Sequence, residues 1–167
     1  MKKLEKIKTD FIELSLPIGL MIVAATENLD ILFVNAMFAK MLGYENIDEF
    51  SKKSAMSAWD FVYKDDIENL RKLAADRIGK SDPYEIAYRV VKKDGAIVWV
   101  NQNSSHTYDE NKNEIIFAYY TDITAQKQME QDILAGKKKY EILINSIPGG
   151  VGMYKCNAEF KPIFISD

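Results

Sequence analysis

The chain has 167 residues, 47% of them apolar and 11% aromatic, enough for one domain with a real core plus flanking pieces. Its 22 basic and 25 acidic residues are intermixed and leave a formal charge of −3; with no basic stripe or block, nucleic acid and direct membrane contact are excluded as partners. Cys156 is the only cysteine, so no intrachain disulfide forms, which fits a reducing, cytoplasmic setting.

Residues 1–15 carry Lys2, Lys3, Glu5, Lys6 and Lys8, too many charges for a signal-peptide core. Leu4, Ile7, Phe11 and Leu14 are spaced 3, 4 and 3 apart and line one helical face. An amphipathic helix follows, lying on its own domain or forming a short dimer seam. The longest apolar stretch, 16–25, is broken by Pro17 and Gly19 and is about half of what a membrane-spanning helix needs.

Two β-rich runs, 19–26 and 31–34, surround polar residues 27–30 and predict a hairpin. Asn35 is placed to cap the next helix, with Phe38, Met41 and Leu42 apolar and Gly43 able to end it. Asn46 and Glu49 mark the start of a second short helix. The clearest helix spans 63–79, with Asp65 as its cap and Ile67, Leu70, Leu73 and Ala74 as its apolar stripe. The Asp65-Asp66 pair reads as capping rather than as a metal or acid–base site. Three strands come next: 84–91, ending in the turn Lys93-Asp94-Gly95, then 96–108 and 115–121.

Two strands, then helices, then three strands predict an α+β domain: an antiparallel sheet with helices clustered on one face. Ile115, Phe117 and Tyr119 alternate with Ile116, Ala118 and Tyr120, so both faces of the last strand are apolar. The N-terminal helix or a partner chain is expected to cover the second face.

Over 125–147 the pattern turns helical again. Met129, Ile133, Gly136, Tyr140, Leu143 and Ile147 step by 4, 3, 4, 3 and 4, a heptad seam interrupted by Gly136. This is a connector helix, able to coil with a second chain. The last residues, 148–167, then echo the first hairpin. Leu16-Pro-Ile-Gly-Leu20 recurs as Ile147-Pro-Gly-Gly-Val151, and Leu32-Phe-Val34 as Ile163-Phe-Ile165. The offset is constant, 148 − 17 = 131 and 164 − 33 = 131. A fixed period means a repeated unit, so 148–167 is expected to be the first hairpin of a truncated second copy, within a longer parent protein.

Taken together, residues 16–124 resemble the PAS family of sensory domains. Four stretches carry the resemblance: Leu16-Pro-Ile-Gly-Leu20 through Phe33-Val-Asn35 and Leu42-Gly-Tyr44; Trp59-Asp-Phe-Val-Tyr-Lys-Asp-Asp66; Lys92-Lys-Asp-Gly95 with Trp99; and Tyr120-Thr-Asp-Ile-Thr124 running into Gln126-Lys-Gln-Met-Glu130. Tyr63 and Lys64 stand where many members have His-Pro. The resemblance implies a five-stranded antiparallel sheet with short helices on one face, around a small internal cavity. It also implies a covalently attached output domain, often a histidine kinase or a diguanylate cyclase, which these residues do not contain.

The chemistry narrows further. His106 is the only histidine, and the long helix on which haem-binding relatives place their axial ligand has none; the plain reading of His106 is a solvent-facing strand residue. Flavin-binding relatives that react covalently use a cysteine early in the helical region, absent here, so covalent flavin is excluded. A non-covalent flavin or a small organic ligand stays open. No Ser-His-Asp set, phosphate loop or zinc motif assembles, and Gly149-Gly-Val-Gly152 lacks the Lys-Ser or Lys-Thr of a phosphate loop. The chain is therefore read as a non-enzymatic module.

Candidate lining residues for an apolar ligand cavity are Met41, Trp59, Tyr88, Trp99, Asn101 and Tyr119; the bland alternative is that they are packing filler. Asp122 and Thr124 are expected to hold the junction between the last strand and the connector and so to couple a ligand to the output. The competing reading is a ligand-free module that only forms a homodimer.

Overall fold

The computed structural model describes residues 18–52, 57–77, 79–80, 82–146, 152–154 and 162–165. The helix expected over 1–15 lies outside the described residues. The chain divides into two compact units, Met1–Thr124 and Ala125–Asp167.

The first unit is built on a five-stranded sheet of β1 (Gly19–Ala24), β2 (Ile31–Val34), β3 (Tyr84–Val91), β4 (Ile97–Tyr108) and β5 (Glu114–Asp122). The spatial order is β2-β1-β5-β4-β3, with each neighbouring pair antiparallel. The first strand thus lies beside the last, with Met21 opposite Ala118. Between β2 and β3 the chain makes α1 (Ala36–Met41), α2 (Ile47–Ser51), two short 3-10 turns (Ala58–Phe61 and Lys64–Asp66) and α3 (Ile67–Arg77). The α+β class, antiparallel sheet and intervening helices are as expected.

One face of this sheet carries the core. Met21, Val23, Val34, Tyr88, Val90, Val98, Val100, Ile116, Ala118 and Tyr120 are buried with Phe38, Ala39, Leu42, Phe50, Phe61 and Leu70 from the helical segment. Within that cluster Phe38 packs edge-on against Phe50 and Phe61, at 6.2 and 6.4 Å between ring centres, and Phe50 stacks on Phe61 at 5.3 Å. The opposite face is more open: Phe117 and Tyr119 are each 38% exposed.

The local signals explain the helix starts. Asn35 caps α1, its side chain accepting from the Phe38 N–H, and Asn46 caps α2 by accepting from Glu49 N–H at 2.8 Å. Gly43 follows α1 at φ +82°, a left-handed conformation that glycine adopts without cost. Asp65 does not cap α3. The 3-10 turn at 64–66 presents Asp66 instead, which accepts from the backbone N–H and guanidinium of Arg89 on β3. His106 also departs from its expected place: it faces inward and is 93% buried, its Nδ1 2.7 Å from Glu114 Oε1.

The second unit contains nearly all of α4 (Thr124–Asn145), β6 (Gly152–Tyr154) and β7 (Pro162–Ile165). Met129, Ile133, Tyr140 and Leu143 of the heptad seam are exposed along α4. The β6 and β7 strands pair antiparallel with each other.

Candidate ligand-binding cavity

Strand alternation puts the even-numbered residues of β3, β4 and β5 on the core face. Tyr84, Ile86, Tyr88, Gln102, Ile116, Ala118 and Tyr120 therefore form one wall of a cavity of about 50 Å³. Leu70, Leu73 and Ala74 of α3 form the other, and Leu29, Ala58, Trp59 and Val62 close one end. This space holds a water or two. It lies far below the roughly 300–1000 Å³ of a drug-sized pocket.

The wall is apolar except for one chain of polar groups. Tyr88 Oη donates to Gln102 Oε1 at 2.5 Å, and Gln102 Nε2 donates to Ser104 Oγ at 2.6 Å. Tyr120 Oη sits 3.8 Å from Met21 Sδ. Burial pushes the pKa of both Tyr88 and Tyr120 well above that of a free phenol. Both hydroxyls therefore stay protonated at neutral pH and act as donors.

A second space, a groove of about 290 Å³, opens between the β1–β2 turn and α3. Leu29, Trp59, Ala74 and Ile116 line both the groove and the cavity, so these four side chains separate them. The turn side of the groove is tied down at several points. Trp59 Nε1 donates to the Glu27 carbonyl at 3.0 Å, Ala58 N–H donates to the Leu29 carbonyl at 3.0 Å, and the Ser57 hydroxyl donates to the Asn28 carbonyl. Leu29 is held at φ +49°. For a bulky residue that left-handed conformation costs about 1–3 kcal/mol and survives only where its surroundings enforce it. On the helix side, the Arg71 guanidinium lies 5.1 Å from the Trp59 ring centre.

Of the six lining residues expected from sequence, Trp59 and Tyr88 line the cavity. Met41 packs on the core from α1, close to where a side chain at Gly19 would sit. Trp99, Asn101 and Tyr119 belong to the odd-numbered, outer face of the sheet. Asn101 there bonds the Glu85 carboxylate, and the Arg89 guanidinium lies 5.6 Å from the Trp99 ring centre. Their even-numbered neighbours Gln102 and Tyr120 take the cavity positions. Ile97 and Trp99 alternate with Val98 and Val100, so the residue pattern held no signal for this phase. Leu29, Tyr84 and Arg71 carried no signal either, because only the tertiary fold brings them to the site.

The junction residues are at the end of the same strands. Asp122 Oδ1 accepts from Thr124 N–H at 2.8 Å, so the last residue of β5 satisfies the first free N–H of α4. Thr124 is itself the first helical residue, and its hydroxyl accepts from Trp99 N–H on β4 at 3.0 Å. Ile123 N–H donates to the Trp99 carbonyl at 2.9 Å. The backbone of one β4 residue therefore grips both sides of the exit from β5.

No curated protein matches the chain in sequence. A family model described as PAS fold matches residues 31–120, just over half of the chain. Among solved structures, a sensory box histidine kinase/response regulator from Burkholderia thailandensis E264 aligns over 81% of this chain and 98% of its own, at 14% identity and TM-score 0.61. The PAS domain of an HTR-like protein from Haloarcula marismortui aligns over 74% and 100%, at 19% identity and TM-score 0.59. The N-terminal domain of a diguanylate cyclase with PAS/PAC sensor from Marinobacter aquaeolei aligns over 66% and 98%, at 15% identity and TM-score 0.52. At these identities the likeness is one of fold. No described helix is long and apolar enough to cross a membrane.

Proposed function

Because this chain belongs to the PAS fold family, we propose that it is a non-catalytic sensor whose cavity and groove receive a small molecule and whose β5–α4 junction relays binding to an attached output domain. The observation that carries this reading is the register of β4 on β5. Gln102, the polar anchor of the cavity, is paired with Tyr120, and two residues along the same ladder Val100 is paired with Asp122, whose carboxylate holds the first N–H of α4. A ligand that displaces the Tyr88–Gln102 bond acts on the strand pair that carries the helix. Such a relay needs two states a few kcal/mol apart, which a rearranged buried hydrogen-bond network supplies.

A tandem arrangement is part of the same proposal. In the first hairpin Met21, Ile22 and Val23 pair with Val34, Phe33 and Ile31; in the last, Gly152, Met153 and Tyr154 pair with Ile165, Phe164 and Pro162. Every partner is displaced by the same amount, 152 − 21 = 131 and 162 − 31 = 131, and the register irregularity recurs at the same step. The β6–β7 hairpin is on this reading the opening of a second sensory fold.

A second reading, a ligand-free dimerisation module, draws on the small volume of the cavity and on Phe117, Tyr119 and Ile97 exposed on the outer face. Native mass spectrometry of the full chain, with an absorbance spectrum on the same sample, separates the two. A bound mass of a few hundred daltons supports the sensor. Clean apo dimers, with no small molecule retained from a metabolite mixture, defeat it. With a ligand in hand, Asp122→Ala should leave affinity unchanged and abolish the ligand-dependent change in hydrogen exchange of α4.

A further inference from the structure

The groove beside Trp59 is lined by two charged residues that, among the described residues, have no ion-pair partner. Arg71 lines it from α3 and Glu27 from the β1–β2 turn, two elements on opposite sides of the opening. Arg71 rests on the Trp59 ring instead, which orients its guanidinium without satisfying its donors. Apart from Thr26, whose hydroxyl donates to Asp30, the rest of the lining is apolar: Ala25, Ala74 and Ala75, with Leu29 and Ile116 leading on toward the buried cavity.

Each class of ligand meets this surface differently. A simple anion gains from Arg71 and is repelled by Glu27; a simple cation meets the reverse. A neutral apolar molecule fills the floor and leaves both charges as they were. A zwitterion with an apolar body uses all three features. The volume, about 290 Å³, is at the lower edge of the roughly 300–1000 Å³ typical of small-molecule sites and suits a metabolite of modest size. Resting on the sensor reading above, we propose that the groove binds a free α-amino acid with an apolar side chain. Its carboxylate meets the Arg71 guanidinium, its ammonium meets the Glu27 carboxylate, and its side chain points past Leu29 and Ile116.

Binding to this site strains the partition that separates groove from cavity. Leu29 already sits at an unfavourable φ, and Trp59 is fixed by its bond to the Glu27 carbonyl, on the same residue that would take the ammonium. An occupant therefore bears directly on two of the four side chains that separate the groove from the cavity.

Isothermal titration of the full chain with leucine and phenylalanine tests the assignment. The controls are 4-methylpentanoate, which is leucine without its amine, and 3-methylbutan-1-amine, which is leucine without its carboxylate. Leucine or phenylalanine should bind, and each control should bind roughly tenfold or more weakly, the loss of one charge-assisted contact. Arg71→Met and Glu27→Gln should each weaken the amino acid by a similar factor. Both side chains are exposed, and circular dichroism checks that the variants fold. As a cross-check, Arg71→Met should leave the binding of the amine control unchanged. Equal binding of leucine and either control overturns the proposal, as does an Arg71→Met variant that binds leucine normally. If no amino acid binds while native mass spectrometry finds another ligand, this assignment fails and the sensor reading stands. If neither experiment finds a ligand, both fail.

Discussion

Asn35 shows how much one side chain organises here. It is fully buried, its Oδ1 accepts from the N–H groups of Leu20 and Phe38, both at 2.9 Å, and its Nδ2 donates to the Ile18 carbonyl at 3.0 Å. One amide thus caps α1 and fastens the start of β1 to the end of β2. Replacing it with alanine removes the cap and strands buried backbone donors. Asn35→Ala should lower unfolding stability by about 2–4 kcal/mol in a urea titration, and a loss below about 1 kcal/mol would contradict this role. The cap was legible from asparagine preceding an apolar helical stripe. The bonds to Leu20 and Ile18 were not, since pairing of β1 with β2 alone brings those backbone groups within reach.

At the scale of elements, the helical segment is fastened to the sheet by Asp66 and Arg89. The carboxylate of Asp66 accepts from Arg89 N–H at 2.9 Å and from its guanidinium at 2.5 and 3.0 Å, while Tyr63 N–H donates to the Arg89 carbonyl. The Arg89 guanidinium also lies over the Tyr63 ring at 4.3 Å. Hydrogen bonds from the Arg89 side chain hold the Asp66 carboxyl below the usual carboxylate range, against an opposing push from burial. A group whose folded pKa is depressed stabilises the fold above its unfolded value, about 3.9, and loses that contribution as pH falls through the lower folded value. Urea titrations of wild type and Asp66→Asn should therefore differ by a constant amount from pH 5 to 8. The gap should shrink as the pH drops below about 4. A gap that widens on acidification would overturn the assignment. The sequence offered Asp65 as a helix cap and no carboxylate as a tether to β3, because the 3-10 turn at 64–66 that aims Asp66 at Arg89 shows only in the fold.

Across the whole molecule, the five-stranded sheet closes without β6 and β7, which form a sheet of their own. The two units are compact separately. Shortening the chain to residues 1–146 should leave the calorimetric melting temperature of the sheet domain within about 2 °C, a change of well under 1 kcal/mol for a domain of this size. A fall of 5 °C or more would show that the C-terminal hairpin is part of the domain's stability. The exposed seam of α4, Met129, Ile133, Tyr140 and Leu143, is the surface through which the proposed relay would reach a second chain.

The sequence by itself determined the element order, the antiparallel α+β class, the caps at Asn35 and Asn46 and the repeat offset of 131 residues. These are local or periodic properties, carried by residue types at short fixed spacings. Tertiary structure decided the rest. The sheet buries even-numbered positions on β4 and β5, which turned Trp99, Asn101 and Tyr119 outward and Gln102, His106 and Tyr120 inward. With apolar residues on both faces, alternation gives the period of a strand and leaves its phase open. What resolves that phase is which face the helices cover, and the same packing brings Leu29, Trp59 and Arg71 together at the mouth of the cavity.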